Sequence, residues 1–462
     1  MLFCKVGEVS LTATKKIIKH LNTGKRVQVM ESFIGFLETE GKKVEDISKM
    51  ILDKIESVGL DIQINKKKYD NAAVMSGIHS GVQIRIKAIN PNAQYVACSN
   101  HTLYLVGVHA ASVAVNSVTF LGTMDKVFNY FSSSTHRWKV LTDITGQGVK
   151  RFIETRWSAR YEAIAIMKSH YNEIIEVLQS LSQNIKENAV TRSDAGLLLP
   201  ALQSLPFLAF LGLCNRVLCE INDTQLYFQT KGLNVHYCAM KINALQLFLV
   251  DNHLGIDIAP RRIRKTKKMT GEEVADAGLS YDIKLRQMYE SVDRITQEIK
   301  TRFHQLHELH VKYSFLTPTN LLNPEYKCEF KEEPSDVDMK EFEIERERLR
   351  NFIAVADAKD KDNVMKGSFE LLEFIQQCNY GISVPNIVIM LRIFLTIVIC
   401  IAACERSSSK LKLIKNYLRS TMSSTRLSNL AILSIEQSIT KEINFDDVIN
   451  NFAAIKDRKG TL

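Results

Sequence analysis

No charged segment followed by a long apolar core opens this chain, so MLFCKVGEVSLT does not read as a secretory signal. The nine cysteines follow no regular spacing and mostly sit among apolar neighbours, which argues against a disulfide framework and for reduced thiols in an intracellular protein. A four-ligand zinc pattern is also missing, because Cys98 and His101 form a C-x-x-H pair with no second pair at suitable spacing. There is no internal repeat and no low-complexity tract. An unbroken membrane-length run is lacking as well. The best candidate, 387–404, is interrupted by Arg392 and rich in β-branched residues typical of a buried strand, so no membrane partner is expected. Charge is only mildly one-sided at +9, which permits nucleic-acid binding without demanding it.

What is present is an ordinary globular composition, 45% hydrophobic and 24% charged, in a chain of 462 residues, long enough for two or three domains. Residues 26–38 read as a strand rich in β-branched and aromatic side chains. Apolar residues at 44, 47, 51, 55 and 58 predict a helix ended by Gly59. Residues 60–64 and 95–97 are short strand candidates, while 81–89 and a segment from His101 read as helices. This alternation, up to about residue 130, predicts an α/β layer. From 135 to 383 helical patterns dominate, at 160–181, 197–219, 225–251, 281–313 and 341–374, which predicts an all-α insertion between two α/β pieces.

The C-terminal part combines an acid with apolar faces. An uncharged, mostly apolar run at 393–404 leads to Glu405. A basic helical pattern follows, with Leu411, Ile414 and Leu418 on one face and Lys410, Lys412, Lys415 and Arg419 elsewhere. After a Ser/Thr-rich break at 420–425, a second apolar pattern runs through Leu427, Leu430, Leu433 and Ile435. Exposed apolar faces of this kind predict a self-association surface. Basic clusters at Lys66, Lys67 and Lys68, at 261–268 and at 410–419 have the charge to meet phosphates, although a solvated surface is the commoner meaning of any one run. No base-reading motif accompanies them.

Six stretches carry a resemblance. VQVMESFIGFLE (27–38), YDNAAVMSGIHSGVQIRI (69–86), NPNAQYVACSNHTLYL (90–105), FSSSTHRWKVL (131–141), ETRWSARYEAI (154–164) and ERSSSKLKLIKNYLRSTM (405–422) resemble hAT-superfamily transposases in family order. Within that superfamily the chain resembles the transposase-derived proteins called zinc finger MYM-type protein 1-like. The resemblance implies an α/β fold with a large all-α insertion: an RNase H-like core, incomplete at its N-terminus, plus a C-terminal hAT dimerisation region. Residues 1–134 would form the first part of the core with its first strand degenerate or missing, 135–384 the helical insertion, and 385–462 the final core strand and helix with the dimerisation region.

Such cores hold two Mg²⁺ ions between an Asp, a second Asp and a Glu, which activate a nucleophile and steady the leaving oxygen in phosphodiester transfer. The second Asp falls on Asp70 and the Glu on Glu405. Residues 1–26 contain no Asp, and Glu8 is their sole acid, so the resemblance implies a site short of one ligand, no Mg²⁺ cofactor and no enzyme activity. Lys66 to Lys68 replace the family's Gly-Gln-Gly, Ser408 its aromatic and Val398 its Pro. Arg156 and Trp157 match the motif whose Trp stacks on an exposed DNA base, against the ordinary reading of a half-buried packing aromatic. Cys98 and His101 match a pair with a structural role, and FDDVI (445–449) implies a short final helix packed on the dimerisation segment. The expected partners are a second copy and, non-specifically, DNA, in the nucleus. Two alternatives remain open: an active Mg²⁺-dependent transposase, and a degenerate copy without a selected role.

Overall fold

A computed structural model describes residues 2–6, 10–20, 27–38, 43–57, 67–69, 77, 81–89, 96–111, 115–151, 157–230, 232–254, 290, 292–328, 337–397, 399–400, 407, 409–411, 413–416, 419 and 421–454. The chain divides into two compact units, residues 1–98 with 315–462 and residues 99–314.

The first unit opens with a sheet of β1 (Leu2–Val6), β2 (Ser10–His20), β3 (Val27–Glu38) and β4 (Lys67–Tyr69), in the order β3-β2-β1-β4. The first three strands form an antiparallel meander, and β4 returns parallel to β1. Residues 26–38 were legible as a strand, whereas β1 and β2 were not predicted; β1 stands between β2 and β4. The β2–β3 ladder is not uniform. Ala13 faces Gly35 and Thr14 faces Phe33, which leaves Ile34 as an extra residue on β3. In a regular strand Phe33 and Phe36, three apart, would point to opposite faces. The bulge shifts that phase, and the two buried rings meet edge-on with centroids 4.9 Å apart. Gly35 supplies the bend with φ of 155°, a conformation that a side chain disfavours.

Helix α1 (Val44–Ser57) then buries Ile47 and Ile51 on the stripe the spacing predicted, packing with α2 (Val82–Ile89) through Val82 and Ile86. Glu45 and Asp46 at its start and Lys54 in its last turn complement the helix dipole. An alternating α/β layer up to residue 130 is not what forms among the described residues. Strand is confined to the one sheet, residues 96–98 have no regular structure, and helix dominates. The strand candidate 60–64 lies outside the described residues.

The second unit is helical: α3 (Ser99–Ala111), α4 (Val115–Ser132), α5 (Thr135–Thr145), α6 (Trp157–Ser169), α7 (Tyr171–Gln183), α8 (Ala189–Leu202), α9 (Leu205–Phe228), α10 (Val235–Leu254), helical residues at 292–302, and α11 (His304–Tyr313). The pattern read as one helix at 197–219 is two. Ser204 caps α9 by accepting from Phe207 N at 3.3 Å, and a proline in the first turn favours a start there. Asn188 caps α8 in the same way through Thr191 N, 2.6 Å. Helix α9 is long and apolar enough to cross a membrane by length and composition. It also carries Arg216, Glu220 and Asp223, and it packs on α6, burying Phe207, Phe210, Val217 and Ile221.

The chain then completes the first unit with α12 (Pro318–Leu321), α13 (Met339–Ala354), α14 (Ala358–Val364), α15 (Ser368–Gln377), α16 (Pro385–Thr396), α17 (Ser424–Ile435), α18 (Gln437–Thr440) and α19 (Asp446–Ala454). The apolar run expected as a final strand and weighed as a membrane span begins instead as the buried 12-residue helix α16. Ile397 and Ile399 beyond it are buried without regular structure. Leu391, Phe394 and Leu395 are buried and the helix packs with α13 and α15, so hydrophobicity on nearly all sides reflects burial within protein.

Two adjacent charges on α13 fix this arrangement. Glu345 is fully buried and accepts hydrogen bonds from Asn386 N (3.1 Å), Asn386 Nδ2 (2.7 Å) and Ile387 N (2.9 Å). A carboxylate is thus set on the first-turn amides of α16, which lack intrahelical acceptors. Arg346, also buried, donates to the carbonyls of Leu321 (3.1 Å), Asn320 (3.2 Å), Asn323 (3.1 Å) and Tyr326 (3.1 Å), closing the end of α12. Its remaining nitrogen meets Glu343 at 2.7 Å.

Candidate functional site

Several residues singled out by the sequence lie outside the described residues: Asp70, Glu405, Lys66, Arg156, Leu418 and the basic run 261–268. Lys67 and Lys68 lie on β4 and Trp157 opens α6, but the description of these three does not extend to their side chains. What is placed is the strand beside the position of interest. β1 pairs with β4 in the register Leu2 to Lys67, Phe3 to Lys68 and Cys4 to Tyr69, and Asp70 follows β4 in sequence. Along β1 stand Leu2, Phe3, Cys4, Lys5 and Val6, none of them a carboxylate. No group of three His, Cys, Asp or Glu among the described residues is arranged to hold a metal ion. Cys98 is fully buried directly before α3, and His101 is half-buried in that helix, its ring 5.8 Å from Tyr104. None of the seven cysteines whose side chains are described forms a disulfide.

The C-terminal segment has a well-defined inner face. Ile414, Leu427 and Ala431 form a core with Phe33 and Phe36, and Leu411, Met422, Leu430, Ile432 and Ile435 pack around it. Of the six residues expected on a self-association face, Ile414 and Leu427 are buried in this core, and Leu411 and Leu430 are half-buried against it. The physical reason is the sheet edge. β3 is an outermost strand, and α17 lies along it. Its Ser428 hydroxyl accepts from Phe36 N and donates to Phe36 O, both at 3.3 Å. Glu436 Oε1 accepts from Phe33 N at 2.5 Å. Side chains of the helix thus satisfy backbone groups around the bulge that no further strand serves. Burying a leucine such as Leu427 here contributes about 1.5–3 kcal/mol.

The outer face is different. Leu433 remains 45% exposed, and every residue of α19 is exposed, including Val448 at 58% and Ile449 at 46%. The short final helix expected from FDDVI does form, but it is not packed down on the segment before it. Its start is acidic, with Asp446 and Asp447, and Asn444 Oδ1 accepts from Asp446 N at 2.8 Å. The preceding stretch is basic, with Lys410, Lys415, Arg419 and Arg426 all exposed.

Sequence reasoning missed Phe33, Phe36, Ser428, Ala431 and Glu436 as parts of this region, and Glu345, Arg346 and Asn386 as its buried polar support. One signal for the first group was available: a glycine inside a strand pattern marks a bulge or a close backbone approach. For the buried carboxylate no sequence signal exists, since α13 reads as an ordinary charged helix.

Two comparisons bear on this geometry. Over 473 aligned positions the chain is 20% identical to the human "52 kDa repressor of the inhibitor of the protein kinase", covering 94% of this chain. The chain spans about 60% of the length of that curated relative. Residues 353–439, which run from the end of α13 into α18 and include the helix that closes the sheet edge, match the family model of the hAT family C-terminal dimerisation region.

Proposed function

We propose that this chain is a transposase-derived protein that works by self-association through its C-terminal region and does not catalyse DNA strand transfer. The observation that carries the reading is the match of residues 353–439 to the hAT dimerisation region. Exposed apolar side chains at Leu433, Val448 and Ile449 support it, since association is what covers such groups. The absence of catalysis draws support from β1. The mixed sheet, with β4 parallel beside β1, is compatible with an RNase H-like core, yet β1 offers Lys5 and no carboxylate next to the strand that precedes Asp70. A site with Asp70 and Glu405 alone would be short of the acidic oxygens that two Mg²⁺ ions require.

The finer kinship, to zinc finger MYM-type protein 1-like proteins, belongs to the same reading, as do nuclear residence and weak, non-specific DNA binding through Lys66 to Lys68, Arg156 and Trp157. The human relative is named for repressing an inhibitor. A chain acting by association rather than chemistry accords with that kind of role. Sedimentation velocity of the intact protein over a wide concentration range tests the proposal: a reversible monomer–dimer shift is expected, and a monomer at every concentration defeats it. A parallel assay with transposon-end or hairpin DNA and Mg²⁺ should show no cleavage. Cleavage that disappears in Asp70→Asn and Glu405→Gln would make the protein an enzyme.

A further inference from the structure

Resting on the self-association reading, we propose that the contact with a second copy is made by the outer terminal face around α19, and not by the leucines on the inner side of α17. Val448 and Ile449 lie on α19, Phe445 directly before it stands three and four residues upstream of them, its carbonyl accepting from Ile449 N, and Leu433, Ile439 and Ile443 lead up to it along the chain. All six are exposed. The inner side has less surface to offer: Ile414 and Leu427 are buried with Phe33 and Phe36, Leu411 and Leu430 are half-buried against them, and Ser428 and Glu436 on that side serve the edge strand.

Charge selects the occupant. The span 407–426 contains four exposed cations among its described residues, Lys410, Lys415, Arg419 and Arg426, and no acid. The span 442–447 contains three exposed acids, Glu442, Asp446 and Asp447, and no base. Among the described residues no ion pair within the chain joins these two spans. A two-fold axis brings the acidic span of one copy to the basic span of the other and repeats the contact in reverse, so the surface is complementary to itself. The same acids disfavour the anionic surface of a lipid bilayer. The face is also continuous in sequence with residues 353–439, the match to a dimerisation region.

Sedimentation equilibrium of the full chain tests this with three exposed-residue variants. Val448→Asp with Ile449→Asp should weaken the dimer at least about tenfold, the loss expected when a central apolar anchor is removed. Asp446→Lys with Asp447→Lys should weaken it too, and adding Lys415→Glu with Arg419→Glu should restore association. Circular dichroism should be unchanged throughout, because none of these side chains is buried. A dimer that forms as tightly in all three variants overturns the assignment of this face while leaving self-association intact. A wild-type monomer at all concentrations overturns both. Flotation of wild-type protein with phosphatidylcholine vesicles, lost in Val448→Asp with Ile449→Asp, would give the face to lipid instead and overturn the proposal.

Discussion

Replacing Glu345 should be among the most damaging single changes in the first unit. The side chain has no exposed surface and serves three donors, two of them first-turn amides of α16. Glu345→Ala leaves those donors buried without an acceptor, and each orphan costs about 1–3 kcal/mol, offset in part by rotation of the Asn386 amide. Taken together, the three orphaned donors less that relaxation cost about 3–5 kcal/mol. At about 2–4 °C per kcal/mol for a unit of this size, the melting temperature should fall by about 6–20 °C. Glu345→Gln keeps the shape but turns one acceptor into a donor facing donors, so it should lose about 1.5–3 kcal/mol. Differential scanning calorimetry reads the shift, and hydrogen exchange at Asn386 and Ile387 locates it. If Glu345→Ala changes stability by less than about 1 kcal/mol, the carboxylate is not holding α16 and the reasoning fails.

Two further outcomes follow from the same physical chemistry. Gly35→Ala should destabilise by about 1–3 kcal/mol in urea titration, because a side chain at φ of 155° is strained even though the nearest atom, Ser428 Oγ, would lie at an ordinary 3.9 Å; an unchanged midpoint would mean the bulge relaxes freely. His236 and His310 face each other at 5.1 Å, and burial holds both below the ordinary imidazole value of 6.5, with the neighbouring His236 and His307 adding to the effect at His310. The unfolded chain then binds the extra protons first, so their contribution is fully present above pH 6.5 and is lost as the pH falls below it toward their folded values. Urea midpoints measured from pH 7.5 down to 5 should fall more steeply in wild type than in a His236→Phe, His310→Phe double variant, and equal slopes would contradict the assignment.

Local patterns were legible where one element decides its own state. The stripe of Ile47 and Ile51 gave α1, and the β-branched and aromatic run gave β3. What the sequence did not disclose depended on partners far along the chain. Phe33 and Phe36 share a face because of a one-residue bulge, and alternation read along β3 alone puts them on opposite faces. Leu411, Ile414, Leu427 and Leu430 were correctly legible as an apolar face, but periodicity does not say whether such a face meets a neighbour in the same chain or in another copy. Here a sheet edge some 400 residues away claims it, with Phe36 N reaching Ser428 across a separation of 392. The first residues of the apolar run at 393–404, through Thr396, belong to a helix because Pro385 and the carboxylate of Glu345 start one upstream, and burial on nearly all sides erases the periodicity that would distinguish helix from strand. Lys5 and its neighbours on β1 were passed over because five residues without alternation carry little signal.

The proposed C-terminal region is two-sided, closing the sheet with one face and meeting a second copy with the other. Hydrogen exchange of the intact chain, compared at high and low protein concentration, tests both sides in a single measurement. The amides of Phe33 and Phe36 should be protected equally at both concentrations, while residues 445–449 gain protection only at the higher one. Protection at Phe33 and Phe36 that rises with concentration, with 445–449 unchanged, would contradict it.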